Sequence, residues 1–166
     1  MKNNKLLKIV YLLCILVLLS ACGSSGNSNP LSSSQEKNII NAEQEGETEK
    51  MLSMKIGNAS VQVDWENNNS VSSLKELCKS KTLTITMHMY GGFEQVGSIG
   101  SSLPTNDKQM TTTSGDIVLY SGNQIVVFYG SNSWSYTKLG KITNKTDDEL
   151  SELLGKGNVT LTLSLE

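Results

Sequence analysis

Thr82-Leu83-Thr84-Ile85-Thr86-Met87-His88-Met89 places Leu83, Ile85, Met87 and Met89 on one side of an extended chain and Thr82, Thr84, Thr86 and His88 on the other. A period of two sustained over eight residues belongs to a strand that covers a core with one face only. The C-terminal stretch repeats the pattern: Val159, Leu161, Leu163 and Leu165 alternate with Thr160, Thr162, Ser164 and Glu166. Leu52, Met54 and Ile56, the break Gly57-Asn58, and then Val61, Val63 and Trp65 read as a hairpin. Asp116–Tyr120 and Ile125–Tyr129 flank Ser121–Gln124 as a second hairpin, and the unbroken apolar run of its second arm marks a central strand.

Two helices fit between these strands. Val71, Leu74, Leu77 and Cys78 fall at helical spacing behind the cap candidates Asn69 and Ser70. Thr146-Asp147-Asp148-Glu149 forms a capping box with acids at the positive end of the helix dipole; Leu150, Leu153 and Leu154 make its stripe, and Gly155 ends it. Seven or eight strands and two short helices in residues 51–166 predict a mainly β domain, a closed eight-stranded barrel plugged at its ends. Closure also removes the exposed edges of the sheet.

Upstream of that domain the composition changes twice. Lys2, Lys5 and Lys8 precede an apolar core, Ile9–Leu19, whose 11 residues are fewer than the roughly 20 a spanning helix needs. A basic head, a short apolar stretch and small residues read as a secretion signal over residues 1–21. Leu19-Ser20-Ala21-Cys22 resembles the lipobox of bacterial lipoproteins, which implies cleavage before Cys22 and lipid attachment to its thiol. Two acyl chains of palmitate length bury about 0.8 kcal/mol per CH2, and two chains hold where one is only marginal. The expected partner is therefore the cell membrane, reached through lipid on Cys22, with the domain on the extracytoplasmic face. Residues 22–50 contain six Ser, five Glu and four Asn beyond Cys22 and few large apolar groups, a composition expected of a flexible tether. With Cys14 in the signal and Cys22 lipidated, Cys78 has no partner for a disulfide.

Charge excludes one class of partner. The chain contains 14 Lys and no Arg, and beyond residue 21 it has 11 Lys against 16 acids, a formal charge of about −5. Phosphate backbones need clustered cations and guanine readout favours Arg, so no nucleic acid is expected.

Several pieces stand in a telling order: Tyr90-Gly91-Gly92-Phe93-Glu94, Leu103-Pro104, Gly115-Asp116-Ile117-Val118-Leu119-Tyr120, Val127-Phe128-Tyr129 and Ser135-Tyr136-Thr137-Lys138-Leu139-Gly140-Lys141-Ile142. Together they resemble the bacterial cyclophilin-like domain family, small barrels related in fold to the cyclophilins, over about residues 51–166. The resemblance implies an eight-stranded barrel with a helix near each end. It carries a fold with more authority than an activity.

Prolyl isomerisation is the chemistry the resemblance suggests. True cyclophilins use an Arg around the prolyl carbonyl and amide, and a chain without Arg has no planar fork to replace it; Lys is a poor substitute. No catalytic residue is therefore expected. His88 is the only histidine, expected half-exposed on the polar side of its strand, and one His without paired ligands makes no metal site; neither metal nor cofactor is expected. Cys78 belongs to the apolar stripe of its helix and reads as an inert buried thiol, not as the partner of His88. Gly97-Ser98-Ile99-Gly100-Ser101 lacks the Lys of a phosphate loop.

Gly91–Gly115 shows little periodicity; 25 structureless residues are unusual in so small a domain, so a short strand near Phe93–Ile99 and an ordered loop over the barrel face are expected. Tyr90, Phe93, Trp134 and Tyr136 fall at strand ends or in loops, where they line a candidate cleft with Glu94 as its polar anchor. The competing reading has Glu94 bonded to loop amides or to a Lys. The expected function is a membrane-anchored, non-catalytic binder of a peptide or small molecule. The alternatives are a divergent prolyl isomerase and a docking module with a patch of exposed aromatics.

Overall fold

A computed structural model describes residues 50–166. The expected signal segment 1–21, Cys22 and the expected tether up to residue 49 lie outside the described residues. Strands β1 (Leu52–Ile56), β2 (Ala59–Val61) and β3 (Val63–Trp65) are followed by helix α1 (Asn69–Ser80). Next come β4 (Leu83–Tyr90), β5 (Glu94–Ser98), β6 (Lys108–Thr111), β7 (Asp116–Tyr120), β8 (Gln124–Phe128) and β9 (Ser133–Ile142). Helix α2 (Asp147–Leu154) and β10 (Val159–Leu165) complete the domain.

The antiparallel strands run in the order β2-β1-β10-β4-β5-β8-β7-β9-β3. β2 and β3 are separated by Gln62 alone, and the first pairs with β1 while the second pairs with β9. One bent segment thus joins the two ends of the sheet. Counted as a single strand it makes a ring of eight, as expected. The predicted second arm of the first hairpin is divided at this bend, because its two halves serve opposite edges. Asn144 holds the corner by accepting from the Gln62 amide at 2.8 Å through its Oδ1.

The alternating strands bury the faces their sequence assigns, except at Met89, which lies 40% exposed near the end of β4 where the core no longer covers it. Leu83, Ile85 and Met87 of β4 join Leu161 and Leu163 of β10 and Met54 and Ile56 of β1 in the main core inside the ring. Gly97 of β5 is required there: a Cβ would come within 2.5 Å of Met87 Sδ and 2.9 Å of the Thr86 carbonyl. Helix α1 is capped by Asn68, whose Oδ1 accepts from the Val71 amide at 3.0 Å, one residue before the expected Asn69. The cap must precede the first turn, and Asn69 already lies within it. Val71, Leu74 and Cys78 enter the core, whereas Leu77 is half-buried at its margin. The capping box of α2 is present, with Leu150 and Leu154 buried.

The two helices close opposite ends. Ser70 Oγ donates to the Pro104 carbonyl at 2.6 Å, and the Leu103 amide donates to the Gly122 carbonyl at 2.7 Å, tying α1 and its neighbouring loop to the end with the β7–β8 turn. At the other end the Gln95 side chain, fully buried, donates through Nε2 to the carbonyls of Leu154 (2.6 Å) and Gly157 (2.7 Å). Those carbonyls fall at and beyond the C-terminus of α2, where helical partners run out.

β6 is a departure from the sequence reading, which expects only an ordered loop there. It stands outside the ring and pairs with the first half of β9, from Lys108 opposite Tyr136 to Thr111 opposite Ser133. Between Ile117 and Val118 the β7–β9 register shifts, passing over Leu139. Such a bulge bends the strand, and the first half of β9 turns outward with β6.

Candidate functional site

β7 and β8 are apolar on both faces. Ile117, Leu119, Ile125 and Val127 point into the ring, and Val118, Val126 and Phe128 point out of it. Outside, they form a second buried cluster with Tyr136, against which Phe93, Val96 and Met110 are packed. The Tyr136 ring meets Phe128 edge-on at 5.7 Å and Tyr120 at 6.0 Å. The outward-turned β6–β9 pair supplies Met110 and Tyr136, so the cluster exists because β9 is bent.

Beside this cluster lies a groove of ≈ 790 Å3. Its floor is the outer face of the sheet: Thr86, His88 and Tyr90 from β4, and Val96 and Ser98 from β5. These are the residues that alternate with the core-facing set. The opposite wall is Tyr120, Trp134 and Tyr136, with the amide side chains Gln124 and Asn132. Trp134 is 56% exposed and Tyr90 68%, so two large rings face the opening with little covering them.

The polar wall is braced from behind. Asn132 donates through Nδ2 to the Tyr136 hydroxyl at 3.0 Å. Thr112, fully buried, donates its amide and its hydroxyl to the Asn132 carbonyl at 2.8 and 3.1 Å, and its Oγ1 accepts from the Asn132 amide at 3.0 Å. This fixes the amide of Asn132 against the groove.

Glu94 sits at one end of this face. The turn Gly91-Gly92, with φ of 60° and 76°, reverses the chain between β4 and β5 and sets Glu94 opposite Tyr90. Two successive left-handed residues match the twist of the hairpin arms, and glycine takes that backbone without strain. Across the other edge Glu94 pairs with Phe128. Directly opposed residues share a face, so its side chain lies on the groove side. It is 6% exposed, and its Oε2 is buried without a hydrogen-bond partner. Among the described residues it enters no ion pair. Burial pushes its carboxyl up to about 7. The hydroxyls of Tyr129 and Tyr136 are also raised, first by burial and then by the charge on Glu94. The reading in which loop amides or a Lys satisfy this acid finds no such partner here.

Tyr90, Trp134 and Tyr136, named from sequence, are thus brought together around the groove. Phe93 and Glu94 do not line it directly; Phe93 packs at the edge of the outer cluster and Glu94 lies beside it. Sequence reasoning passed over Thr86, Tyr120, Gln124 and Asn132, and treated His88 as a bystander. The signal available for Thr86 and His88 is their position on the polar side of the alternating strand. Nothing in the sequence marks Asn132, which matters through its contact with Thr112. His88 faces the groove while Cys78 is buried in the core inside the ring, so the two cannot act as a nucleophilic pair. Burial raises the Cys78 thiol, as fits an inert group, with a bond to the Leu83 backbone opposing. Among the described residues no group of three His, Cys, Asp or Glu gathers to hold a metal ion, and no helix is long and apolar enough to cross a membrane.

No curated protein and no solved structure matches the chain. The sequence model of the Cyclophilin-like family matches residues 54–164, from within β1 to within β10. The match covers all of the ring but the outer ends of β1 and β10, both helices and every residue of the groove, and on that basis the chain belongs to the cyclophilin-like family.

Proposed function

We propose that this protein is a lipid-anchored receptor of the cell envelope, whose barrel binds a peptide or small molecule in the outer groove without chemistry of its own. The observation that carries the reading is the groove itself: a concave site with aromatic walls, a few fixed polar groups and neither Lys nor Arg among its lining residues. The exposed aromatics flank a concavity and do not form a flat patch, which favours ligand binding over docking of a protein surface. Anchoring rests on Leu19-Ser20-Ala21-Cys22 behind the basic and apolar segments. It places the barrel on the extracytoplasmic face of the cell membrane, with residues 22–50 as its tether.

Thermal-shift measurements on the purified protein with proline-containing peptides and flavins test the binding reading, because a ligand of the folded state raises the melting temperature by mass action. A shift that disappears in Trp134→Ala supports the groove; one that persists there moves the site elsewhere. Cys22→Ala is expected to leave the protein unprocessed or released into the medium, and normal processing with membrane retention refutes the anchor.

A second reading, a divergent prolyl isomerase, is favoured by one feature. Asn132 and Gln124 offer neutral amide donors in the groove where a cyclophilin would use Arg. Prolyl-peptide turnover abolished by Asn132→Ala would establish it, and absence of turnover leaves the receptor.

A further inference from the structure

Resting on the groove reading, we infer that the ligand carries an alkylammonium or guanidinium group, held among Tyr90, Trp134 and Tyr136 in the field of the Glu94 carboxylate. Three observations converge on this. Glu94 is almost wholly buried on the groove side of β5, with one carboxylate oxygen lacking any partner. A buried acid left unpaired is costly, and the cost falls when a cation is supplied. The protein does not supply one: no Lys lines the groove, and among the described residues Glu94 forms no ion pair.

The groups around Glu94 agree. Tyr90 and His88 stand on β4, Tyr129 follows β8, and Tyr136 stands on β9 with the exposed Lys108 opposite it on β6. Only burial raises the Glu94 carboxyl, so no neighbouring charge neutralises it. A negative charge behind aromatic walls of low polarity projects its field into the groove. Aromatic faces attract cations in their own right, Trp most strongly. An anionic ligand would meet repulsion from the same group.

The test uses two matched probe sets on the purified protein, read by calorimetry. The first is a capped Ala-Xaa-Pro-Phe amide with Lys, norleucine or Glu at Xaa, so that charge changes while the aliphatic stem is nearly kept. The second is hexylammonium against hexanol, which separates a free amine from a peptide side chain. At pH 8 the cationic member of at least one set is expected to bind about tenfold more tightly than its neutral counterpart. Glu94→Gln should bring the pair to within about twofold, the gain being electrostatic. Because that variant removes a buried charge it is expected to fold, and near-ultraviolet circular dichroism checks that it does. Trp134→Leu, at an exposed position, provides an independent second variant and should weaken the cationic probe more than the neutral one.

Equal affinity of cationic and neutral probes, tighter binding of the Glu peptide, or a preference that survives Glu94→Gln overturns the inference while leaving the groove as a binding site. Absence of binding by every probe in both sets overturns the groove reading, and this inference with it.

Discussion

Two neighbours on β5 face opposite ways and meet opposite fates. Gln95 points into the ring, is fully buried, and its amide nitrogen closes two carbonyls at the end of α2. Glu94 points outward beside Phe128 and is nearly as buried; one oxygen of each side chain is buried without a partner, but Glu94 makes no side-chain bond among the described residues and is the one that can carry a charge. The same division runs through β7 and β8. Their inner residues join a core sealed by both helices, and their outer residues join a small cluster that borders an open groove. Inside, the Gln95 amide nitrogen finishes the fold. Outside, an ionisable carboxylate is left without a bond. The difference separates the face that holds the protein together from the face we propose for binding.

The sharpest way to break this comparison is to cut into each face. Leu119→Ala empties a fully buried inner position and is expected to cost about 2–5 kcal/mol in urea unfolding. If its loss is no larger than that of an exposed substitution, the inner core is not the source of stability. The next effect concerns Glu94 and pH. Its carboxyl ordinarily titrates near 4.5 and is raised to about 7 in the fold. Between those values the folded state keeps a proton that the unfolded chain has released, so stability falls as pH rises through this window and levels off above it. The total fall is up to about 3 kcal/mol. Glu94→Gln should flatten that part of the profile, compared at pH 4 and pH 8; an unchanged profile would mean the acid is not destabilised by burial.

Gln95→Leu has a smaller effect of opposite character. It orphans the carbonyls of Leu154 and Gly157 and is expected to cost about 1–2 kcal/mol at every pH, read by the same unfolding curves. A pH-dependent loss would contradict its placement on the neutral inner face. Trp134→Ala should change stability by less than about 0.5 kcal/mol, because the ring is largely exposed, while removing ligand binding. A large loss of stability would make Trp134 a structural residue and weaken the outer site.

The polar side of β4 was legible from alternation alone, since period two assigns each residue a face. So were both helices, whose stripes and caps are local patterns; the error of one residue at Asn68 is of the kind that boundaries carry. β6 escaped because Lys108-Gln109-Met110-Thr111 has no apolar alternation. A strand that lends the single side chain of Met110 to the outer cluster needs none. Three of the aromatic candidates converge on the groove, but their convergence was not readable: it requires β9 to bend at Leu139 and carry Trp134 and Tyr136 back over β5 and β8. Asn132 was invisible for the same reason, being fixed by a residue 20 positions away.

Local pattern by itself determined the strands, the helices and the presence of a one-sided sheet, because backbone periodicity is written residue by residue. It also determined the absence of Arg, which limits the chemistry whatever the fold. Only the tertiary structure decided that the outer face of the ring carries a groove, and that Glu94 remains without a partner beside it. A side chain's solvation depends on what packs over it, and that is set by strands far apart in the chain.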